Sequence, residues 1–491
     1  MSGILKVLAA LLVAAFITFL LFFSEKGEHA EPVVIPESLT ELPSPVTGKP
    51  FVSEALAESI ITSPCSASIS YLLSHYALDS RTYDAMAAID NGFAMPPAEY
   101  GAGNPWSGNI TTDGLILQMA HFFTDWCTFL PEISGDQDNG LKYIQEFAWF
   151  YYRNYAAQSF VQGFMPGGNR PLQTGLVFTR MFSEERGAFM NSPASAANVS
   201  QWVSDPRIEI SDYEEVDGGG YDYATWNDFF SRQIKIDTVT ETIPSRPVTM
   251  PERDYVVSAP TDCIMNPLLQ VLGSKPGAKR KFIDNPLAAD TVLDVKTVPI
   301  NVMDLLGNAP AEIKDTFVGG TGLSCVLMPN TYHHFHAPVS GEVVHAEIIE
   351  SGTFGYIDWP NWVPADGNVG QAGTDFSQFN AFQRGVVIIK VTYDNMNGEP
   401  VTGYVASIPV GLDTIGSVVL DADIKEGATV KRGYTRLGNF FYGGSLDILL
   451  FSKGLATGAV QTRLGNQIAV LNTGKLPEEE TEAETEASEE E

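Results

Sequence analysis

Arg436-Leu-Gly-Asn-Phe-Phe-Tyr-Gly-Gly-Ser-Leu-Asp-Ile-Leu-Leu-Phe451 is the stretch on which the reading of this chain turns. It ends in an apolar, strand-like run, it begins with an aromatic one, and Gly443-Gly444-Ser445 lies between them. Alone, such a tripeptide is an ordinary turn. Between two apolar runs it has a further capacity, because glycines permit a tight bend and the close approach of another group. A hydroxyl placed just after the bend can reach its own preceding carbonyl. That reaction requires a base for the hydroxyl and donors for the developing oxyanion.

Upstream, Gly385-Val-Val-Ile-Ile-Lys-Val-Thr-Tyr393 and Gly403-Tyr-Val-Ala-Ser-Ile-Pro-Val410 are β-rich runs bounded by Gly, Pro and Asn, so the C-terminal half is expected to be β-dominated. Residues 51–205 read as mainly helical. In Leu141–Tyr155 apolar positions recur at three- and four-residue spacings, and Gly114–Leu130 looks similar. Such aromatic stripes are expected to be core. An acidic, Gly-rich break over 206–223, containing Gly218-Gly219-Gly220, marks a domain boundary. The fold class expected is α+β, with a helical region at 51–205 and a β-rich domain at 224–476.

The ends are compositional extremes. Val7–Phe23 is an unbroken apolar run apart from Thr18, and with the residues before it reaches the length of a bilayer-spanning helix. We read 1–28 as an uncleaved membrane anchor or signal-anchor, with the body weakly placed on the non-cytoplasmic side. Residues 29–50, rich in Pro, Glu and Ser, are its linker. The last segment, 477–491, contains nine Glu and no base and is expected to be a disordered tail. The net charge of −31, still −22 without that tail, argues against nucleic acid as a partner and against electrostatic docking on an anionic membrane. Cys65, Cys127, Cys263 and Cys325 have no metal-knuckle spacing. Cys65 and Cys127 can pair if the body is exported; four buried or free thiols is the alternative.

Four of the seven histidines lie between 333 and 345, three of them in Tyr332-His333-His334-Phe335-His336-Ala-Pro-Val-Ser-Gly341. On a strand His334 and His336 face one side and His333 the other, so at most two converge locally. Metal ligands, an acid–base histidine and buried structural histidines all remain open from this segment alone. A third segment, Tyr255-Val-Val-Ser258-Ala-Pro-Thr-Asp262, ends in a carboxylate that by itself reads as a turn residue. Asp262, His336 and Ser445 are together the components of a nucleophile-activating triad.

These segments, in this order, resemble the phosphatidylserine decarboxylases over nearly all of residues 222–460. Trp226-Asn-Asp-Phe-Phe-Ser-Arg232 followed by Arg246-Pro247 is similar to the family's aromatic–Asp–Phe-Phe–x–Arg segment. Ser258–Asp262 is similar to its Ser-Pro-Ala-Asp-Gly motif, and Tyr332–Gly341 to its Tyr-His-Arg-x-His-x-Pro-Val-x-Gly motif. Leu437-Gly-x-Phe440 leading to Gly443-Gly444-Ser445 resembles its terminal Gly-Gly-Ser motif, and Lys425–Gly433 its approach to that site. Cys263 stands where the family has Gly, His334 where it has Arg, and Leu446-Asp447 follow the serine where a hydroxyl and then an apolar residue are common.

The resemblance implies a self-processing carboxy-lyase. Ser445, deprotonated by His336 with Asp262 orienting the imidazole, would attack the Gly444 carbonyl. β-Elimination would then leave a β chain ending at Gly444 and an α chain whose residue 445 becomes a pyruvoyl group. That cofactor would form a Schiff base with a substrate amine and accept the electrons left by departing CO₂. His333 would act in decarboxylation as the proton donor. No metal is implied. Phosphatidylserine, giving phosphatidylethanolamine, is the leading substrate because the chain has its own bilayer anchor; a free aromatic amino acid is the alternative. A non-enzymatic, metal-binding, membrane-tethered domain is the reading from another class. The two chains of one precursor, the bilayer and a second copy of the chain are the partners expected.

Overall fold

Val386, Val387, Ile388 and Ile389 are all fully buried, although successive residues of a strand point to opposite faces. Both faces of their sheet must therefore be covered, and the architecture follows from that requirement. The structure, a computed structural model, describes residues 38–92, 106, 111–133, 137–151, 154–165, 171–216, 218–267, 269–271, 280–282, 292–295, 298–318, 320–355, 381–395, 397–413, 417–457 and 467–471. The expected anchor at 1–28 and the acidic tail at 477–491 lie outside the described residues. Among the described residues no helix is long and apolar enough to cross a membrane.

The fold is α+β. Helices α1 (Glu54–Thr62), α2 (Ser66–Leu78), α3 (Ser80–Gly92), α4 (Thr112–Thr128), α5 (Gln137–Tyr151), α6 (Tyr155–Gln162) and α7 (Gln173–Met190) are followed by the short α8 (Val199–Val203) and α9 (Trp226–Phe230). Side chains cap several of them: Ser53, Thr111 and Asn154 accept backbone N–H groups at the starts of α1, α4 and α6. The periodic stretch Leu141–Tyr155 is not one helix. It breaks after Tyr151, and Asn154, whose Oδ1 accepts from Ala157 N–H at 3.2 Å, starts a new one.

The main strands are β1 (Val256–Ser258), β2 (Ile264–Pro267), β3 (Thr321–Leu327), β4 (His334–His336), β5 (Gly341–Ile349), β6 (Arg384–Asp394), β7 (Pro400–Leu412), β8 (Val418–Leu420), β9 (Thr429–Val430), β10 (Arg436–Phe440), β11 (Gly444–Phe451), β12 (Ala456–Thr457) and β13 (Gln467–Leu471). Seven of them form one antiparallel sheet in the order β9-β5-β6-β7-β11-β3-β2. Two three-stranded sheets, β8-β10-β4 and β1-β13-β12, are also antiparallel.

Alternate residues of the large sheet enter two different cores. Val386, Ile388, Ala406, Ile408, Leu446, Ile448 and Leu450 pack with the helices. Val387, Ile389, Val405, Leu449 and Phe451 pack with Phe335, Leu437 and Phe440 of the small β8-β10-β4 layer and with Val257 of β1. The helical core is dense in rings: Phe123 meets Phe178 at 4.7 Å and Phe182 at 4.6 Å, while Phe147 meets Phe354 of the β half at 5.0 Å. Helices and sheet share that core.

Cys65, just ahead of α2, is disulfide-bonded to Cys127 of α4, with Cα atoms 5.9 Å apart and a sequence separation of 62. Cys263 and Cys325 are buried free thiols. Closing so long a loop restricts the unfolded chain, and losing such a bond costs about 2–5 kcal/mol. Reduction, or the Cys65→Ala substitution, is therefore expected to lower the midpoint of thermal unfolding, measured by circular dichroism with and without reductant. An unchanged midpoint would show the bond to be energetically idle.

Candidate active site

Strand β11 sets the geometry. Its residues 446, 448 and 450 face the helices while 449 and 451 face the small β layer, so alternation directs Ser445 and Asp447 toward the β layer and Gly444 toward the helices. Register is held on both sides: Ser445 lies opposite Gly411 of β7 and Leu327 of β3. Ser445 is buried, and its Oγ has no hydrogen-bond partner. On the helical side, a Cβ added to Gly444 would lie 2.6 Å from Oδ2 of Asp413 and 3.3 Å from Cβ of Leu412. The Asp413 carboxylate would have to shift to admit a side chain there. Asp413 holds φ at 58°, a conformation costly for a side-chain-bearing residue. It is fixed by Thr353, whose carbonyl accepts from Asp413 N–H at 2.8 Å and whose hydroxyl donates to the Asp413 carbonyl.

The histidine segment divides by parity. Tyr332, His334 and His336 form one ladder, with ring centroids 5.0 Å apart for Tyr332–His334 and 5.7 Å for Tyr332–His336. His336 accepts from the Tyr332 hydroxyl at Nε2 (2.9 Å) and donates from Nδ1 to the Tyr434 carbonyl (3.0 Å); the carbonyl, which can only accept, assigns this tautomer. Nε2 of His334 donates to the Ser231 carbonyl at 2.8 Å. His333 has the parity of Phe335, Ala337 and Val339, which enter the core between the layers. It stacks on Phe230 with centroids 3.7 Å apart, and neither of its ring nitrogens has a hydrogen-bond partner.

Burial makes all three imidazoles weak bases. It pushes His336 down to about 4 and His334 to about 3; it pushes His333 well below the usual range, with the Arg232 charge adding to the effect. At neutral pH each is uncharged and so retains the lone pair that a base requires. Among the described residues no three His, Cys, Asp or Glu side chains are grouped to hold a metal ion.

Asp262 is buried in an ion cluster. Arg246 Nε lies 3.0 and 3.1 Å from its two oxygens, and Nη2 lies 3.0 Å from Oδ2. The same guanidinium reaches Asp212 at 2.6 Å and Glu209 at 3.1 Å. Burial works against its charge, yet the bonds to Asp262 and then Asp212 hold its pKa above the ordinary value. The acidic segment 206–223, expected to be a linker, thus contributes two of the three carboxylates.

The backbone joins the Asp262 and His336 segments, His336 N–H donating to the Pro260 carbonyl at 2.7 Å, while the His336 ring is held by Tyr332 and Tyr434 and the Asp262 carboxylate by Arg246. Neither side chain is hydrogen-bonded to the Ser445 hydroxyl. His333 and Ser445 are the two buried side chains of the set that lack hydrogen bonds. Sequence reasoning did not find Asp413 as a neighbour of Gly444, and no local signal marks it. Nor did it find the state of Asp447, whose carboxyl accepts from the Ser407 hydroxyl at 2.9 Å and is pushed up to about 7 by burial.

That shift gives a stability prediction. The unfolded Asp447 ionises near 3.8 and the folded one near 7, so the unfolded chain releases its proton first and stability falls as pH rises between those values. Asp447→Asn removes the titration. Its advantage in unfolding midpoint over the wild type should widen from pH 4 to pH 7 and then stay level, and an advantage independent of pH would refute the assignment.

Residues 226–470 match the family model for phosphatidylserine decarboxylase. The phosphatidylserine decarboxylase proenzyme of Bacillus mycoides is 25% identical over 287 residues, 57% of this chain and 88% of that protein. Decarboxylase iboD of Amanita muscaria is 25% identical over 236 residues, 47% of this chain and 58% of that protein. Phosphatidylserine decarboxylase proenzyme 2 of Komagataella phaffii is 25% identical over 316 residues, 64% of this chain and 26% of that protein. The chain thus spans little more than half the length of the Amanita protein and about a quarter of the Komagataella one. Through the matched domain, with its Tyr332–Gly341 and Gly443–Ser445 motifs in place, the chain belongs to the phosphatidylserine decarboxylase family.

Proposed function

We propose that the chain is the precursor of a pyruvoyl-dependent carboxy-lyase that cuts itself between Gly444 and Ser445 and decarboxylates phosphatidylserine. The observation that carries the reading is the state of Ser445. It is a buried hydroxyl with no hydrogen bond, next to a glycine crowded by the Asp413 carboxylate. A buried hydroxyl left unpaired costs about 1–3 kcal/mol, and such orphans call for a chemical reason.

In this reading the Ser445 hydroxyl attacks the carbonyl carbon of Gly444, the C–N bond breaks and an ester forms. The Cβ–O bond of Ser445 then breaks by β-elimination, with loss of the Cα proton, and Gly444 keeps the carboxylate. His336 is the base proposed for the hydroxyl, its imidazole held by the Tyr332 hydroxyl and the Tyr434 carbonyl in place of the Asp262 carboxylate. The alternation of β4 favours a share for His333, which has the parity of the residues facing Ser445. The dehydroalanine left at 445 would tautomerise to an imine, and water would replace its nitrogen, releasing ammonia and leaving a pyruvoyl group at a position that is buried and free of competing hydrogen bonds. The group supplies a ketone that takes a substrate amine and receives electrons as CO₂ leaves. His333 then holds the proton returned to the substrate carbon.

Phosphatidylserine is supported by the names of the Bacillus and Komagataella relatives and by Val7–Phe23, which we propose as a bilayer anchor. The Cys65–Cys127 disulfide supports a catalytic domain outside the reducing cytoplasm. A second reading, decarboxylation of a free amino acid, is favoured by the similarity to a relative named only as a decarboxylase.

The intact mass of purified protein tests the proposal. Two chains divided between Gly444 and Ser445, the smaller with a blocked N-terminus, are expected; a stable full-length chain would defeat it. Ser445→Ala should abolish the cut. His336→Ala should slow it by at least about 10²-fold, as removal of a general base does, and His333→Ala tests the second histidine in the same assay. Release of CO₂ from phosphatidylserine but not from tryptophan decides the substrate.

A further inference from the structure

Helix α7 belongs to the helical part of the chain, outside residues 226–470 that match the family model. Its Arg186 is fully buried. Through Nη1 the guanidinium donates to the Trp126 carbonyl and, at 2.8 Å, to that of Cys127; Nη2 donates to Phe129 at 2.8 Å. These carbonyls close the C-terminal end of α4, where helix groups lack partners and a cation is favoured. No carboxylate pairs with Arg186 among the described residues. Burial pushes its pKa down to about 10, so it remains charged at neutral pH.

The other neighbour of Arg186 is the scissile turn. Its guanidinium carbon lies 5.6 Å from the ring centroid of Tyr442, two residues before Gly444. Tyr442 is enclosed on its other sides by Trp226, with centroids 5.6 Å apart, and Phe230, at 5.3 Å. Its backbone N–H donates to Asn227 Oδ1 at 3.0 Å, and Asn227 Nδ2 donates to Asn191 Oδ1, at the end of α7, at 2.9 Å. Phe230 is also the ring on which His333 stacks. The ring and the backbone of Tyr442 are therefore both tied to α7. Beyond Tyr442 come two glycines, which cannot position the turn by side-chain packing.

We propose that Arg186 is a positioning residue for self-cleavage, acting through Tyr442 to set the approach of Ser445 Oγ to the Gly444 carbonyl. This gives the helical part of the chain a part in the chemistry. The inference rests on the reading that the chain cuts itself at Gly444–Ser445. A displacement of about 1 Å at the reacting atoms can cost on the order of 10²-fold in rate, so a contact two residues away suffices for a large effect.

The test is the rate of appearance of the two chains from freshly made precursor, read by mass, in Arg186→Met, Arg186→Lys, Tyr442→Leu and the Met/Leu double variant. Each non-conservative variant is expected to cut at least about tenfold more slowly, as when a transition-state contact is lost. Arg186→Lys, which keeps the charge and one or two carbonyl bonds, should recover part of the rate. The double variant should be no slower than the slower single one, because both remove the same coupling. Folding is monitored separately by the unfolding midpoint of each variant carrying Ser445→Ala, which cannot cut. If Arg186→Met does not fold, the folded Arg186→Lys protein decides. A cutting rate for Arg186→Lys within twofold of wild type would then overturn the proposal. Wild-type rates in folded variants, or single effects that multiply in the double one, would also overturn it. A wild-type chain that never divides would instead overturn the proposed function itself, and this inference with it.

Discussion

The constraint on which the structure depends is that its central sheet is apolar on both faces. Strands β6, β7 and β11 send alternate residues into a helical core and into a β-layer core, and neither set can be left in water. Burying one Leu, Ile or Val contributes about 1.5–3 kcal/mol. Exposing even Ile388, Ile408, Leu446 and Ile448 would cost about 6–12 kcal/mol, comparable with the whole stability of a typical domain. The helices are thus part of the sheet's folding, although the family model matches only residues 226–470. The same two-sided burial fixes the register of β11. A slip of one residue would send Ser445 toward the helices and Leu446 toward the histidines, exchanging both cores at once.

What could be read in the sequence was what local pattern encodes. Gly385–Tyr393 and Gly403–Val410 lie within β6 and β7, because continuous β-branched runs between turn residues have few alternatives. Parity placed His334 and His336 on one side and His333 on the other, as the ring contacts bear out. Legibility ended where a contact joins distant segments. Arg246 binds Glu209, Asp212 and Asp262, and no spacing rule announces that an acidic stretch will fold onto an arginine some 34 residues ahead of Asp212. The break at Asn154 was hidden because apolar periodicity runs through it, while the cap that interrupts it is a single side chain. The shift of Asp447 needs full burial, which a lone acid within an apolar run suggests only as an anomaly.

Charge at the site follows the same logic of burial. Arg246 gathers three carboxylates on the outer side of β4, where Asp262 acts on His336. Arg186, on the helical side, is satisfied by neutral carbonyls and an aromatic ring. The net charge of −31 contributes to neither arrangement. What matters is which few charges are taken out of water, because an unpaired ion removed from solvent is costly and must be held by specific partners.

Between these two arginines the uncut chain keeps Ser445 and His333 buried without hydrogen bonds. Leaving a buried polar group without a protein partner costs about 1–3 kcal/mol. Ser445 lies beside a glycine crowded by the Asp413 carboxylate and follows a turn tied to α7. A folded chain tolerates such a set when its surroundings over-determine the geometry, and here both faces of β11 do so. A hydroxyl without a partner is also one that need not give up a hydrogen bond to attack. The cost carried by the precursor is thereby a cost already removed from the first step of its own cleavage, which is how a stable core and a self-cutting strand can be the same structure.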